Sequence, residues 1–188
     1  TCALPICHTG PGTIHVDRKV TVSGKGSVRL DTPASLGKKN PTNRNYATPE
    51  IIRPLDREDL REYNRFSVWV YVDAPGVYLT FAGFTLYNEG EKIMPTPGRF
   101  EGQHFETVYP NKWQHIIWEI PDLYRDCVTG FSVNIMLAGA PAGASECMSL
   151  YIDDMRIEKV EAENSRGFDL RKDAMAYCHS GYKPGARK

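Results

Sequence analysis

The chain has 188 residues, which is enough for one domain with a well-buried core but hardly for two. It carries 23 basic and 23 acidic residues, so its formal net charge is zero. No clustered basic run is present, which argues against nucleic acid or an anionic membrane surface as the main partner. No apolar run is long enough to span a membrane.

Strand patterns recur along the chain, separated by Gly, Pro and Asn. They predict strands over 13–22, 26–31, 49–53, 64–73, 76–87, 113–120, 130–138 and 148–160. About eight strands joined by turns rather than helical crossovers predict an all-β fold, an antiparallel sandwich. The single helical candidate is one turn over 56–62, with Asp56 as its cap.

The strand over 64–73 carries large side chains on both of its faces. Its predicted core face consists of Phe66, Val68, Val70 and Val72. Trp69, Tyr71 and Arg65 share the other face, and Asn134 has a comparable outward position in the strand over 130–138. An outer aromatic pair with polar neighbours either stacks a ligand such as a sugar ring or is covered by another part of the protein.

Two strands change their alternation partway along. In the strand over 76–87 the apolar set shifts at Gly83, and in the strand over 148–160 it shifts at Asp153–Asp154. We expect a β-bulge at each position. Between two predicted strands lies a long loop, Asn88–Lys112, in which Phe105–Tyr109 is a candidate hairpin strand.

The five cysteines fit no zinc-binding pattern. If the strands that follow Cys127 and Cys147 are antiparallel neighbours, the two thiols lie at opposite sheet edges and cannot bond. Cys2 and Cys7 could close a small loop, or all five cysteines could be free. The cysteines therefore do not indicate whether the protein works in an oxidising or a reducing compartment.

The last part of the sequence differs from the rest. Glu161–Asp173 is highly charged and lacks alternation, which predicts a linker. We therefore expect a β-sandwich domain over 1–160, with 161–188 forming a linker and the start of a following domain. The first residue is Thr1 rather than Met, so we also expect that a preceding segment was removed.

Four segments together resemble the galactose-binding-like β-sandwiches found as carbohydrate-binding modules and accessory domains of polysaccharide-degrading enzymes. They are Ser23–Leu30, Tyr63–Tyr71, Lys112–Leu123 and Leu150–Ile157. The resemblance covers residues 13–160 and implies a jelly-roll sandwich. A shorter segment, Tyr177–Lys188, resembles the first strand of the immunoglobulin-like domain that precedes the catalytic barrel in family nine glycoside hydrolases.

The resemblance implies a non-catalytic domain that binds a polysaccharide or oligosaccharide beside a catalytic domain of the same natural chain. The setting would be extracellular, on the cell surface or periplasmic. From the residues, Trp69 and Tyr71 are the expected stacking platform, with Arg65 and Asn134 as hydrogen-bonding partners. Two alternatives remain open: a structural N-terminal domain that braces a glycoside hydrolase without binding sugar, and a polysaccharide lyase.

Modules of the resembled class often hold a structural calcium ion, for which Asp153 and Asp154 are the candidate ligands. The alternative is that this pair only stabilises a bulge through backbone amides. For catalysis, His104, Glu106, Tyr109 and His115 are the available groups. The sequence has no lyase strand motif and no paired glucanase carboxylates, so we predict no catalytic residue.

Overall fold

The computed structural model describes residues 6–33, 49–77, 79–92, 100–139 and 145–160. Over these ranges the chain forms ten β-strands. They are β1 (Cys7–Thr9), β2 (Thr13–Asp17), β3 (Ser27–Pro33), β4 (Glu50–Glu58), β5 (Arg65–Asp73), β6 (Leu79–Asn88), β7 (Phe100–Val108), β8 (Gln114–Glu119), β9 (Val128–Gly139) and β10 (Cys147–Glu158). None of the described residues forms a helix long and apolar enough to cross a membrane.

The strands form two antiparallel sheets of five strands each. Sheet A has the order β1-β4-β9-β6-β7, and sheet B has the order β2-β3-β10-β5-β8. Sequential strands such as β4 and β5, or β9 and β10, lie in different sheets. The predicted all-β jelly-roll sandwich is therefore confirmed. The candidate hairpin strand at Phe105–Tyr109 is part of β7, which pairs with β6, and β1 is added to the strands expected from the sequence.

The core lies between the sheets and is built by the predicted apolar faces. Phe66 of β5 stacks on Phe131 of β9, with ring centroids 5.0 Å apart. Phe84 of β6 and Trp118 of β8 pack against Phe66 at 6.1 and 6.4 Å. Because these rings come from both sheets, they join the two layers, and each sheet keeps one outer face.

The predicted register of β5 is confirmed. Phe66, Val68, Val70 and Val72 are all fully buried. The bulge at the aspartate pair is also confirmed, because the pairing of β10 with β5 shifts between Asp153 and Arg156. Asp154 adopts a positive φ of 47° there.

The bulge predicted at Gly83 is wrong. β6 pairs with both neighbours in continuous register around Gly83. Thr80, Ala82, Phe84 and Leu86 form one uninterrupted buried face. The apparent shift arose because Phe81, an apolar residue, lies on the opposite, outer face of the same strand.

The helical turn predicted over 56–62 is also wrong. β4 continues to Glu58, which pairs with Val128. Arg57 has a positive φ of 53°, so the strand is irregular at this point. Burial of Leu55 and Leu60 holds the segment against the core, and this tertiary packing outweighs the weak local helix signal.

Cys7, Cys127 and Cys147 are free thiols, so Cys127 and Cys147 are unlinked as expected. The premise of that prediction is wrong, because β9 and β10 belong to different sheets rather than being neighbours. Cys2 lies outside the described residues, as do the predicted linker and the residues 161–188.

Candidate functional site

The structure separates the four residues expected to form one ligand platform. Arg65, Trp69 and Tyr71 lie on the outer face of sheet B, on β5. Asn134 lies on β9 in sheet A, opposite Glu50 and Gly83. Since the core separates the two outer faces, Asn134 cannot contact a sugar ring that stacks on Trp69.

We call the surface formed by Arg65, Trp69, Tyr71, Trp113 and His115 the Trp69 face. Its rings are engaged with one another. Trp69 stacks on His115 with centroids 4.8 Å apart, and Tyr71 contacts Trp113 at 5.5 Å. Trp69 and Tyr71 are half-buried.

Two arginines of sheet B are paired with carboxylates, although Glu119 Oε2 is buried without a partner. The Arg65 guanidinium contacts the Glu119 carboxylate at 2.5 Å. Arg29 on β3 contacts Asp31 at 2.7 Å and lies over the ring of Tyr151. Beside Arg29 lies an open depression of about 530 Å³. The guanidinium groups of Arg29 and Arg65 are thus both engaged by carboxylates of the protein.

The calcium ligands predicted at the bulge do not fit a cation as they stand. One oxygen of Asp153 accepts hydrogen bonds from the Thr21 hydroxyl and the Val22 amide, both at 2.7 Å. Ser23 donates its amide to the same oxygen and its hydroxyl to the other. Asp154 forms a two-contact ion pair with Arg156. Among the described residues no three His, Cys, Asp or Glu side chains form a group that could hold a metal ion.

The hydrogen bonds to Asp153 also change its acidity. Burial raises the pKa of its carboxyl, but the donors on Ser23, Thr21 and Val22 more than offset this effect. The net pKa is lowered, so Asp153 is an anion that holds the loop after β2 against β10. This matches the alternative in which the pair stabilises a bulge through backbone amides.

The outer face of sheet A carries a different arrangement. Glu50, Asn134, Gly83 and Phe105 form one cross-strand row from β4 to β7. In the next row Ser132 lies between Ile52 and Thr85. We call the surface formed by Glu50, Gly83, Phe105, Ser132 and Asn134 the Asn134 face.

Asn134 carries a buried polar atom without a partner. Its Oδ1 atom is buried and has no hydrogen-bond donor in the structure. A buried acceptor without a donor lowers the stability of the fold by about 1–3 kcal/mol. Native proteins contain few such atoms, and each calls for an explanation. Asn134 leans over Gly83, where an added Cβ would come within 2.6 Å of Oδ1. The glycine therefore makes room for the amide.

Beside Asn134, a hydrogen-bond network fixes the Glu50 carboxylate. Oε1 accepts from the Tyr87 hydroxyl at 2.7 Å and also from the Ser132 hydroxyl. Oε2 accepts from the Thr9 hydroxyl at 3.2 Å. Burial raises the pKa of the Tyr87 phenol and its bond to Glu50 adds to this effect, so the phenol remains a donor at neutral pH.

Phe105 supplies an aromatic surface at the end of this row. Its side chain is 52% exposed, and its ring would touch a Cβ at Gly83 at 2.9 Å. The ring therefore lies beside the Asn134 amide with half of its area open to solvent. An exposed aromatic face next to an unused polar group is the combination that binds sugars by stacking and hydrogen bonding.

The residues considered for catalysis do not converge. His104 and Glu106 are hydrogen-bonded at 2.8 Å, and His104 stacks on Trp118, on the core side of β7. His115 lies on the Trp69 face, and Tyr109 is exposed beyond the end of β7. No shared reaction centre results from these four positions.

The sequence identified part of the Asn134 face. The outward position of Asn134 was predicted from alternation, and Phe105 was placed in the candidate hairpin strand of the long loop. Glu50 and Ser132 were missed, because a single Glu or Ser in a strand carries no distinctive signal. Gly83 was noticed for the wrong reason, although a glycine inside a strand does signal a close approach.

Several solved structures share this fold. An exo-β-agarase matches with a TM-score of 0.55 and 12% identity, over 85% of this chain and 24% of that chain. A carbohydrate-binding module of the β-sandwich superfamily, described as promiscuous in specificity, matches with a TM-score of 0.54 and 9% identity, over 83% of this chain and 58% of that one.

A tandem pair of family 22 carbohydrate-binding modules from Paenibacillus barcinonensis matches with a TM-score of 0.51 and 12% identity, over 85% of this chain and 47% of that one. No family model matches the chain, and no curated protein matches it. The expected likeness to β-sandwich carbohydrate-binding modules is thus confirmed at the level of fold.

Proposed function

We propose that this domain binds a polysaccharide or oligosaccharide without catalysis, and that the Asn134 face is its binding site. The observation that carries the proposal is the buried Oδ1 of Asn134, which has no donor although it lies on an outer sheet surface. A sugar hydroxyl would supply that donor after a rotation of the Asn134 side chain, because Oδ1 is closed to solvent in this structure. The neighbouring ring of Phe105 would stack on the apolar side of the same sugar.

The structural neighbours support this proposal by their described roles. Two of the three are carbohydrate-binding modules, and the third is an enzyme that is described as an agarase. An accessory role beside a catalytic domain, in an extracellular, cell-surface or periplasmic setting, is part of the same proposal. Fold likeness does not fix function, so the Asn134 geometry is the main support.

The Trp69 face is a second candidate for the same function. Its aromatic residues were the first choice from sequence, and Trp69 is only half-buried. Against it stand the mutual stacking of Trp69 and His115 and the ion pair that engages Arg65. We therefore place the ligand on sheet A and assign the Trp69 face mainly to packing.

The test compares two asparagines of sheet A by the same substitution. Asn134→Leu removes an amide whose acceptor has no donor, so we expect the free energy of unfolding to be unchanged or higher. Asn88→Leu is the matched control, because the Asn88 amide donates to Asp126 and Glu91 and accepts from Cys127. We expect this control to lose about 3 kcal/mol of stability.

Binding is measured by calorimetry against soluble xylan, mixed-linkage β-glucan, galactomannan, agarose oligosaccharides and alginate. We expect the wild type to bind at least one of them and Asn134→Leu to lose at least tenfold in affinity. Binding that is unaffected by Asn134→Leu would contradict the placement of the site. A wild type that binds none of these glycans would contradict the function.

A further inference from the structure

The Asn134 face carries almost no charge among its described positions. In the two rows that run from Glu50 to Phe105 and from Ile52 to Gln103, the residues named by the strand pairing include no lysine, arginine or histidine. The adjoining row, which contains Met136, Phe81 and Thr107, has none either. Glu50 is the one charged residue in these three rows.

The Glu50 carboxylate is not neutralised by a described cation. Its partners are three hydroxyl groups, those of Tyr87, Ser132 and Thr9. Hydroxyl donors orient a carboxylate but leave its charge in place. The face therefore presents a fixed negative charge at the centre of its polar network.

Two central hydrogen-bonding groups of this face are acceptors. Asn134 Oδ1 lacks a donor, and an ionised Glu50 can only accept. A neutral sugar offers many hydroxyl donors. A uronate carboxylate or a sulfate ester offers only acceptors and adds a second negative charge, which would face Glu50 across a partly desolvated site.

We propose that the Asn134 face selects neutral, hydroxyl-rich glycans and discriminates against uronic acid and sulfated glycans. This inference rests on the proposed function and names the substrate class of the same site. The two arginines of sheet B described above, Arg29 and Arg65, are paired with Asp31 and Glu119. They are therefore on the wrong side of the sandwich to neutralise a ligand bound at Asn134.

The experiment uses matched neutral and anionic oligosaccharides in calorimetry. The pairs are agarose and κ-carrageenan oligosaccharides, and mannan and polymannuronate oligosaccharides, in 20 mM and 500 mM NaCl. We expect a neutral member to bind and its anionic partner to bind at least tenfold more weakly at low salt. Affinity for the neutral member should not depend on salt.

The variant Glu50→Gln removes the fixed charge. The affinity for a neutral oligosaccharide divided by that for its anionic partner should then fall at least threefold. Glu106→Gln is the matched control, because Glu106 bonds His104 on the core side of β7 and does not face the ligand. The control should leave the ratio unchanged. An unchanged ratio in Glu50→Gln would contradict the role given to this carboxylate.

The outcomes separate this inference from the function on which it rests. An anionic member that binds as well as its neutral partner would overturn the selectivity and leave carbohydrate binding intact. If neither member of any pair binds, nor any glycan used in the test of function, carbohydrate binding itself is overturned.

Discussion

Asn134 and Gly83 face each other across the β6–β9 pair, and the space left by the missing side chain of Gly83 is occupied by the Asn134 amide. An added Cβ at Gly83 would lie 2.6 Å from Asn134 Oδ1 and 2.7 Å from its Nδ2. The glycine thus sets the position of a buried acceptor that has no donor among the described residues.

This relationship predicts the effect of Gly83→Ala. The methyl group would displace both the Asn134 amide and the Phe105 ring, so we expect glycan affinity to fall at least tenfold in calorimetry. In a strand, alanine is more stable than glycine by about 0.5–1 kcal/mol because it loses less backbone entropy on folding. This gain offsets the cost of the local clash. We therefore expect only a small change in the midpoint of urea unfolding.

Gly102→Ala is the matched control on the neighbouring strand. Its Cβ would meet the Leu123 side chain on the core side of β7 rather than a residue of the Asn134 face. Affinity should be unchanged. If Gly83→Ala binds glycan as tightly as the wild type, the amide position does not matter for binding.

Phe105→Ala should weaken binding without weakening the fold. The ring is 52% exposed, so its removal costs little core burial, whereas loss of sugar stacking should reduce affinity about tenfold. Tyr109→Ala removes a ring of similar exposure beyond the Asn134 face and serves as the control. Equal affinities of the two variants would argue against Phe105 as the platform.

Trp69→Ala distinguishes the two outer faces. Because Trp69 packs on His115, we expect a loss of stability of about 1–3 kcal/mol and unchanged glycan affinity. The measurements are one thermal melt and one titration. A variant with an unchanged melting temperature and abolished binding would move the site to the Trp69 face.

Asp153→Asn should destabilise the protein by about 2 kcal/mol at neutral pH, because its charged hydrogen bonds to the 21–23 loop are weakened. The folded pKa of Asp153 is lowered. Its contribution is therefore complete above the unfolded pKa of about 3.9 and is lost as pH falls through the lower folded pKa.

The difference in stability between wild type and Asp153→Asn should thus be constant from pH 7 to pH 5 and shrink below about pH 4. Urea titrations across this range measure it. Asp154→Asn is the control, because its partner Arg156 is exposed and such surface pairs contribute little. A difference that grows on acidification would contradict the assignment.

The sequence predicted the layers of this fold better than the arrangement of its outer faces. Strict alternation in β5 identified Phe66 and Val70 as core residues, because burial on one side of a sheet imposes a period of two. The same alternation placed Asn134 and Trp69 outward but could not assign them to different sheets. Sheet membership depends on strand order, which is set by long-range pairing.

The errors have a common cause in tertiary packing. Gly83 looked like a bulge because Phe81 places an apolar residue on the outer face, and a pattern alone cannot tell a partly covered outer face from the core. The turn predicted at Asp56 was replaced by extended pairing of β4 with β9. The network of Glu50, Tyr87 and Ser132 joins three strands that are distant in sequence, so no local motif encodes it.

The most direct test of the central claim is a two-dimensional NMR titration of the wild type with the neutral oligosaccharide that binds best in calorimetry. The side-chain amide of Asn134 and the indole NH of Trp69 report on opposite faces of the sandwich. We expect the chemical shifts of the Asn134 side-chain amide and of the Gly83 and Phe105 backbone amides to change, while that of the Trp69 indole NH stays the same. A saturable shift of the Trp69 indole with an unmoved Asn134 side chain would contradict it.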